Sequence, residues 1–196
     1  MKKVKLTIDL LEHIFPLATD RKRIQFLAPL QRTLTEYQID TPLRASAFLA
    51  QIAHESGELR YVKEIASGVA YNDRSDLGNT KAEAKEIARN KDIPVGSLYK
   101  GRGLLQITGY DNYVSCGKAL GIDCVYFPEL LEEPLYASLS AGWFWNSRNL
   151  STLADQNKFK RITKRINGGY NGLEARVAYY TQIKEVFLDE ARPYLA

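Results

Sequence analysis

Apolar residues recur at three- and four-residue steps over residues 6–15 and 24–37, as helices with one buried face require, and Pro16 stops the first of them. Residues 43–52 are apolar on almost every side, which places that helix in the middle of a core. Thr41 is set to cap it and Pro42 to fill its first position. Gly57 ends it after His54-Glu55-Ser56, so polar groups emerge where the buried helix stops. From residue 67 to 100 the chain turns small, polar and charged. Lys81 to Lys91 carries the pattern of a solvent-facing helix between Gly78 and Pro94, which predicts a small lobe or flap over about 67–100. Leu104, Leu105 and Ile107 form a short apolar run, a strand or an extended turn, behind Gly101 and Gly103. Helical periodicity returns over 110–120, 134–147, 156–166 and 173–188. The pattern predicts a mainly α (α+β) chain: one domain over 1–196, with a groove between its lobes and no separate binding module.

Composition narrows this little. A chain of 196 residues with 45% apolar and 26% charged residues is one ordinary globular domain. Lys and Arg number 27 against 23 Asp and Glu, a net charge of +4. That mild excess favours an anionic partner such as a cell-wall polymer, without the dense basic blocks of a nucleic-acid binder. The basic start, Met1 to Lys5, resembles the opening of a signal peptide, but Asp9, Glu12 and His13 interrupt its apolar core. No stretch reaches the length of a membrane span, so no stable membrane insertion is expected. Cys116 and Cys124 read as two partly buried thiols, and with only His13 and His54 beside them no zinc set and no cofactor is expected.

Chemistry points first to Glu55. A carboxyl group held against apolar walls keeps its proton near neutral pH, as a general acid for a glycosidic bond must, although polar residues are also common at helix ends. Glycoside hydrolysis needs a second carboxylate, and Glu58 and Glu64 are the near choices. In an unbroken helix Glu64 would lie on the opposite face from Glu55 and about 13 Å along the axis. Gly57 lets the chain turn, so a separation of about 6.5 to 9.5 Å, wide enough for sugar and water, becomes reachable. Glu58, three residues on, is expected to cap the helix or pair with Arg60. The stretch from Tyr99 to Tyr113 sets glycines on both sides of Arg102, and Gln106, Thr108 and Asn112 offer hydroxyl and amide groups; Thr108 and Asn112, one helical turn apart, would face the same way. Asn167-Gly168-Gly169-Tyr170-Asn171-Gly172 reads as a turn between two helices, with Arg176 one turn into the second.

The segments Phe48-Leu49-Ala50-Gln51-Ile52-Ala53-His54-Glu55-Ser56-Gly57, Lys100-Gly101-Arg102-Gly103-Leu104-Leu105-Gln106-Ile107-Thr108 and Ile166-Asn167-Gly168-Gly169 resemble, in order, the three signature segments of family 19 glycoside hydrolases. The likeness runs from about residue 40 to 188 and is nearest to the endolysin branch of bacteriophages and prophages. It implies a lysozyme-like helical fold and hydrolysis of a β-1,4 bond with inversion. By position Glu55 is similar to the general acid, Glu64 to the base of the endolysin branch and Thr108 to the hydroxyl that helps hold the attacking water. Asn112 resembles the amide that binds the acetamido group or that water. Gln106 and Asn167 look like sugar-binding residues, and Arg176 like an arginine that orients the carboxylates and keeps the base ionised. Tyr99 and Tyr110, with Tyr71 and Tyr113, are expected to offer ring faces to sugar. Trp143 and Trp145, two apart on a helix, cannot share a face, so at least one is core.

The departures bear on substrate. Asp111 and Asn171 stand where plant chitinases carry an aromatic and an acidic residue, and the disulfides of the plant enzymes have no counterpart. Peptidoglycan glycan strands, with stem-peptide carboxylates, therefore fit better than crystalline chitin. The resemblance further implies a monomer made in the host bacterial cytoplasm that reaches the wall through a holin-type pore. Rival readings are a chitinase, a lytic transglycosylase and a non-catalytic wall-binding protein. A zinc peptidase is excluded because position 58 holds Glu rather than the second His that such a helix needs.

Overall fold

The computed structural model describes residues 3–189, and among these the regular structure is helical, with isolated bridge pairs in place of strands. The helices are α1 (Ile8–Ile14), α2 (Asp20–Glu36), α3 (Pro42–Glu55), α4 (Ala82–Asn90), α5 (Val95–Leu98), α6 (Tyr110–Leu120), α7 (Pro134–Ser147), α8 (Leu150–Asp155), α9 (Phe159–Asn167) and α10 (Leu173–Asp189). Short 3-10 turns occupy Val69–Tyr71, Ser75–Leu77 and Pro128–Glu132. The chain divides into two compact units, one made of residues up to Arg60 with those from Trp145 onward, the other of Tyr61–Phe144. The lobe expected over about 67–100 is thus part of a larger body. Polar composition marked its exposed surface, while the apolar residues that hold it, Leu104, Leu105, Ile107 and Tyr113, lie further along the chain and are buried.

In the first unit α3 is the central element. Thr41 caps it by accepting from the Arg44 amide at 3.4 Å, Pro42 opens it, and every residue from Ala45 to Ala53 is buried. α10 packs along it, and α1 and α8 also touch it. Phe48 meets Trp145 edge-on with centroids 5.3 Å apart, which makes Trp145 the core member of the tryptophan pair. α2 starts four residues before the apolar periodicity does, because its first turn is polar. The Thr19 hydroxyl accepts from the Lys22 amide, and Arg23 folds back onto Asp20 and the carbonyls of Phe15 and Pro16.

After α3 the backbone takes a left-handed conformation at three successive residues, Gly57, Glu58 and Leu59, with φ of +53°, +57° and +66°. Gly57 does so freely, whereas the other two must be held there. Leu59 is fully buried. Glu58, expected as a cap or a partner of Arg60, is instead 2% exposed: its Oε2 accepts from the Leu17 amide at 2.6 Å and its Oε1 from the Tyr179 hydroxyl at 2.7 Å. The left-handed φ turns the side chain inward, where it satisfies two donors.

The second unit is organised by Arg102, itself 6% exposed. Its guanidinium donates to the Leu98 carbonyl, the Tyr113 hydroxyl and Glu132, and Lys63 joins the same carboxylate at 3.0 Å. The apolar run expected as a strand or an extended turn is a tight turn: Arg102 and Ile107 exchange backbone hydrogen bonds of 3.1 and 2.7 Å around it. Gly103 is needed there, since its φ is +83° and a Cβ would press on the Ser140 hydroxyl. Cys116 and Cys124 are free thiols, both fully buried rather than partly so.

Truncating the residue at the centre of α3 tests this account of the first unit. Phe48→Ala should lower stability by about 3–5 kcal/mol, read as a fall in urea midpoint without change in m-value.

Candidate active site

Glu55 is the last residue of α3, with its side chain 19% exposed. Its Oε1 accepts from Arg176 Nη2 at 2.6 Å, and Oε2 accepts no hydrogen bond among the described residues. Arg176, on α10, is 1% exposed. Its other nitrogens donate to Gln51 Oε1 at 2.6 Å and to the Asn171 carbonyl at 3.3 Å. Gln51 precedes Glu55 by one helical turn, so the two share a face of α3, and its amide nitrogen continues to the Thr163 hydroxyl on α9 at 2.9 Å. The guanidinium was expected to keep the base ionised. Its ion pair is instead with Glu55, the expected acid, because both sit in the first unit on packed helices.

His54 stands beside this pair. Burial, then the nearby Arg176 charge, pulls its pKa below the usual imidazole value, with Glu55 acting weakly the other way. The ring lies against Gly172, whose φ is +67° and where a Cβ would run into the imidazole. The glycine-rich turn between α9 and α10 therefore does more than reverse the chain: Gly168 ends α9 in a left-handed conformation and Gly172 admits His54. Asn167, the last residue of α9, is exposed.

In the second unit Glu64 has different company. The Tyr71 hydroxyl donates to its Oε1 at 2.9 Å and the Gly101 amide to its Oε2 at 3.0 Å, while the Glu64 amide returns a bond to the Gly101 carbonyl at 2.9 Å. Burial, with the hydrogen bond to Glu64, raises the Tyr71 pKa, so the phenol stays a donor. A Cβ at Gly101 would press on Gln106 Oε1 and approach Glu64 Oε2, so this glycine brings Gln106 and Glu64 to one place. Gln106, left-handed at φ +51°, donates to the Gly103 carbonyl and accepts at its own carbonyl from the Thr108 hydroxyl at 3.1 Å. Thr108 and Asn112 are joined, but not as two turns of one helix. α6 begins at Tyr110 after a left-handed Gly109, and the Asn112 amide donates to the Thr108 carbonyl at 2.7 Å. Glu64, Tyr71, Gly101, Gln106, Thr108 and Asn112 thus form one polar cluster.

Two expected sugar-stacking rings are core residues. Tyr99 is fully buried, edge-on to Tyr110 and Tyr113 at 5.4 and 5.3 Å, and its hydroxyl reaches the Val125 carbonyl. Tyr113 is equally buried and donates to the Lys100 carbonyl at 2.6 Å. Neither has a free face for a carbohydrate. Tyr110 remains half-exposed and lines a surface hollow of about 500 Å³ with Lys81 and Asp111, which form a 2.6 Å ion pair. Sequence reasoning passed over Gln51, His54 and the hydroxyl role of Tyr71. Of these, Gln51 carried a signal in its four-residue spacing before Glu55. Among the described residues no group of three or more His, Cys, Asp or Glu could hold a metal, and no helix is long and apolar enough to cross a membrane.

A family model described as chitinase class I, of the glycosyl hydrolase 19 family, matches residues 38–175. A glycosyl hydrolase family 19 domain-containing protein of Haemophilus influenzae is 32% identical over 160 residues, covering 70% of this chain and 77% of that protein. An endochitinase of Arabidopsis thaliana is 36% identical over 146 residues, covering 70% of this chain and 45% of the plant enzyme. The chain spans about half the length of the plant chitinases it matches. Chitinase C from Streptomyces griseus shares the fold, with a TM-score of 0.75 at 24% identity over 95% of this chain and 78% of that one.

The setting of His54 predicts a pH dependence. The folded chain binds the imidazole proton less tightly than the unfolded one, so its contribution to stability is complete above the ordinary histidine value of 6.5 and is lost as pH falls through the lowered one. Urea midpoints taken between about pH 7.5 and pH 5 should fall less steeply in His54→Gln than in the parent chain. Equal slopes would contradict the assignment.

Proposed function

The chain belongs to glycoside hydrolase family 19, a family of chitinase-like enzymes, and from that premise we propose that it is an endolysin hydrolysing the β-1,4 bonds of bacterial peptidoglycan with inversion. The observation that carries the reading is the carboxyl group at the open end of a buried helix, clamped through Oε1 by a buried guanidinium at 2.6 Å. The clamp leaves Oε2 as the oxygen through which a proton is handed over. Glu55 is then the general acid, delivering that proton to the departing sugar oxygen as the bond from C1 breaks. Glu64 is the base: it accepts a proton from the water whose oxygen attacks C1 from the opposite side. Two donors, the Tyr71 hydroxyl and the Gly101 amide, fix both of its oxygens. Thr108 and Asn112 hold that water or the acetamido group, and Gln106, Asn167 and Tyr110 contact the sugars.

Net charge supports peptidoglycan as the substrate: an excess of +4 draws the enzyme toward a glycan whose stem peptides carry carboxylates. Synthesis in the host cytoplasm, release through a holin and action as a monomer complete the proposal. A second reading takes chitin as the substrate, favoured by the plant relatives, whose names are endochitinases.

Digestion of purified peptidoglycan decides among these. Hydrolysis releases new reducing ends, whereas a lytic transglycosylase leaves 1,6-anhydro ends lighter by one water. NMR of early product should show the α-anomer; the β-anomer would mean a covalent intermediate and overturn inversion. Release from chitin oligomers alone would favour the second reading. Glu55→Gln should lower turnover by about 10² to 10⁴ with an unchanged circular dichroism spectrum, and Glu64→Gln should also impair the reaction. Near-normal lysis by Glu55→Gln would remove that residue from the acid role.

A further inference from the structure

We propose that the solvent face of α9 is a docking surface for the carboxylates of peptidoglycan stem peptides; the inference rests on the substrate reading above. α9 turns Phe159, Ile162 and Thr163 inward and leaves Lys160, Arg161, Lys164 and Arg165 exposed. At about 100° per residue these four cover an arc of about 140°. The helix contains no acidic residue. Several cations elsewhere are matched: Arg44 with Asp155, Arg74 with Asp76, Lys81 with Asp111 and Arg102 with Glu132. On α9 none of the four meets a carboxylate among the described residues. Arg165 donates to the Arg148 carbonyl, and the Lys164 ammonium lies 5.9 Å from the Tyr170 ring centre.

Such an arrangement is unfavourable by itself. Lys160 with Lys164, and Arg161 with Arg165, set like charges one turn apart, which destabilises a helix until anions arrive. A hollow of about 490 Å³ opens at the start of α9, lined in part by Lys158, Lys160, Arg161, Val177 and Tyr180. Its aromatic wall is flat, because Tyr180 stacks on Phe159 with centroids 4.4 Å apart. Lys184 adds an ammonium 5.7 Å from the same ring. Cations around an aromatic-walled hollow suit a short carboxylate-bearing peptide. An anionic bilayer suits it less: a helix that lies in a membrane presents its apolar face to lipid, and that face of α9 is buried.

Glu55→Gln protein, slowed by about 10² or more, is co-sedimented with peptidoglycan sacculi stripped of teichoic acid before digestion proceeds. Binding should weaken from about 50 to about 300 mM salt, as screening of exposed charges requires. Replacing Lys160, Arg161, Lys164 and Arg165 together by Gln should reduce binding by about tenfold or more, and amidating the sacculus carboxylates should do the same to the parent chain. The same four changes in the cutting enzyme should leave hydrolysis of a short, uncharged chitin oligomer unchanged, while Lys160→Arg with Lys164→Arg keeps sacculus binding. Unaltered binding by the fourfold variant or to amidated sacculi would overturn the proposal. So would stronger binding to anionic vesicles or duplex DNA than to sacculi. Because sedimentation reads binding without cleavage, these failures are distinct from a failure of the active enzyme to release reducing ends, which bears on the substrate alone.

Discussion

Arg176 carries a permanent charge at 1% exposure, and the first unit is arranged around satisfying it. The guanidinium takes one oxygen from Glu55, one from Gln51 and one from the backbone of the turn before α10. Removing its partners would strand a charge out of water, at about 3–5 kcal/mol for a buried pair, so the tie between α3 and α10 belongs to the fold as much as to the site. The orientation of Glu55 follows directly. An oxygen fixed at 2.6 Å on a guanidinium is unavailable for proton transfer, and the remaining oxygen of the same carboxyl group is presented by default. Through Gln51 and Thr163 the same network reaches α9, so the helix that carries the basic face is tied to the buried charge that holds Glu55.

A parallel logic holds in the second unit. Arg102 is buried as well, and its partners are drawn from the end of α5, from α6 and from the turn before α7. The effect is to stiffen the glycine-flanked turn on which Glu64 rests. Among the described residues that carboxylate meets no guanidinium. It is held by a phenol and a backbone amide, neutral donors that position an anion without cancelling its charge. The two carboxyl groups are thus fixed by opposite means, a cation for one and dipoles for the other.

Much of this architecture was legible in the sequence. α3 announced itself completely, with Thr41, Pro42, an all-round apolar stretch and Gly57, because a fully buried helix with caps satisfies every local rule at once. α8 was hidden, since six residues are too few to establish a period, and the left-handed Asn149 before it has no compositional mark. The size of the second unit was misjudged because polarity along the chain reports exposure, whereas unit membership depends on which distant apolar residues pack. Tyr99 and Tyr113 failed as sugar platforms for a related reason: a tyrosine beside glycines has the same composition whether its ring covers ligand or core. That Arg176 meets Glu55 was not legible, because residue spacing says nothing about which of two carboxyl groups α10 will meet.

The left-handed run at Gly57–Leu59 breaks local rules most openly. Two non-glycine residues sit there at φ +57° and +66°, a region that is unfavourable for each by about 1–2 kcal/mol. Such strain persists only where surrounding contacts over-determine it. Leu59 is held by full burial, and Glu58 by the Tyr179 hydroxyl and the Leu17 amide. Tyr179 lies three residues beyond Arg176 on α10, just as Glu58 lies three beyond Glu55, so one helix engages both carboxylates, the first with a cation and the second with a phenol. An unbroken α3 would have carried residue 64 to its far side, at a height fixed by helical rise. With α3 ended in a left-handed turn, the direction of the chain toward Glu64 no longer depends on the helix axis, and the strain at residues 58 and 59 is what that independence requires.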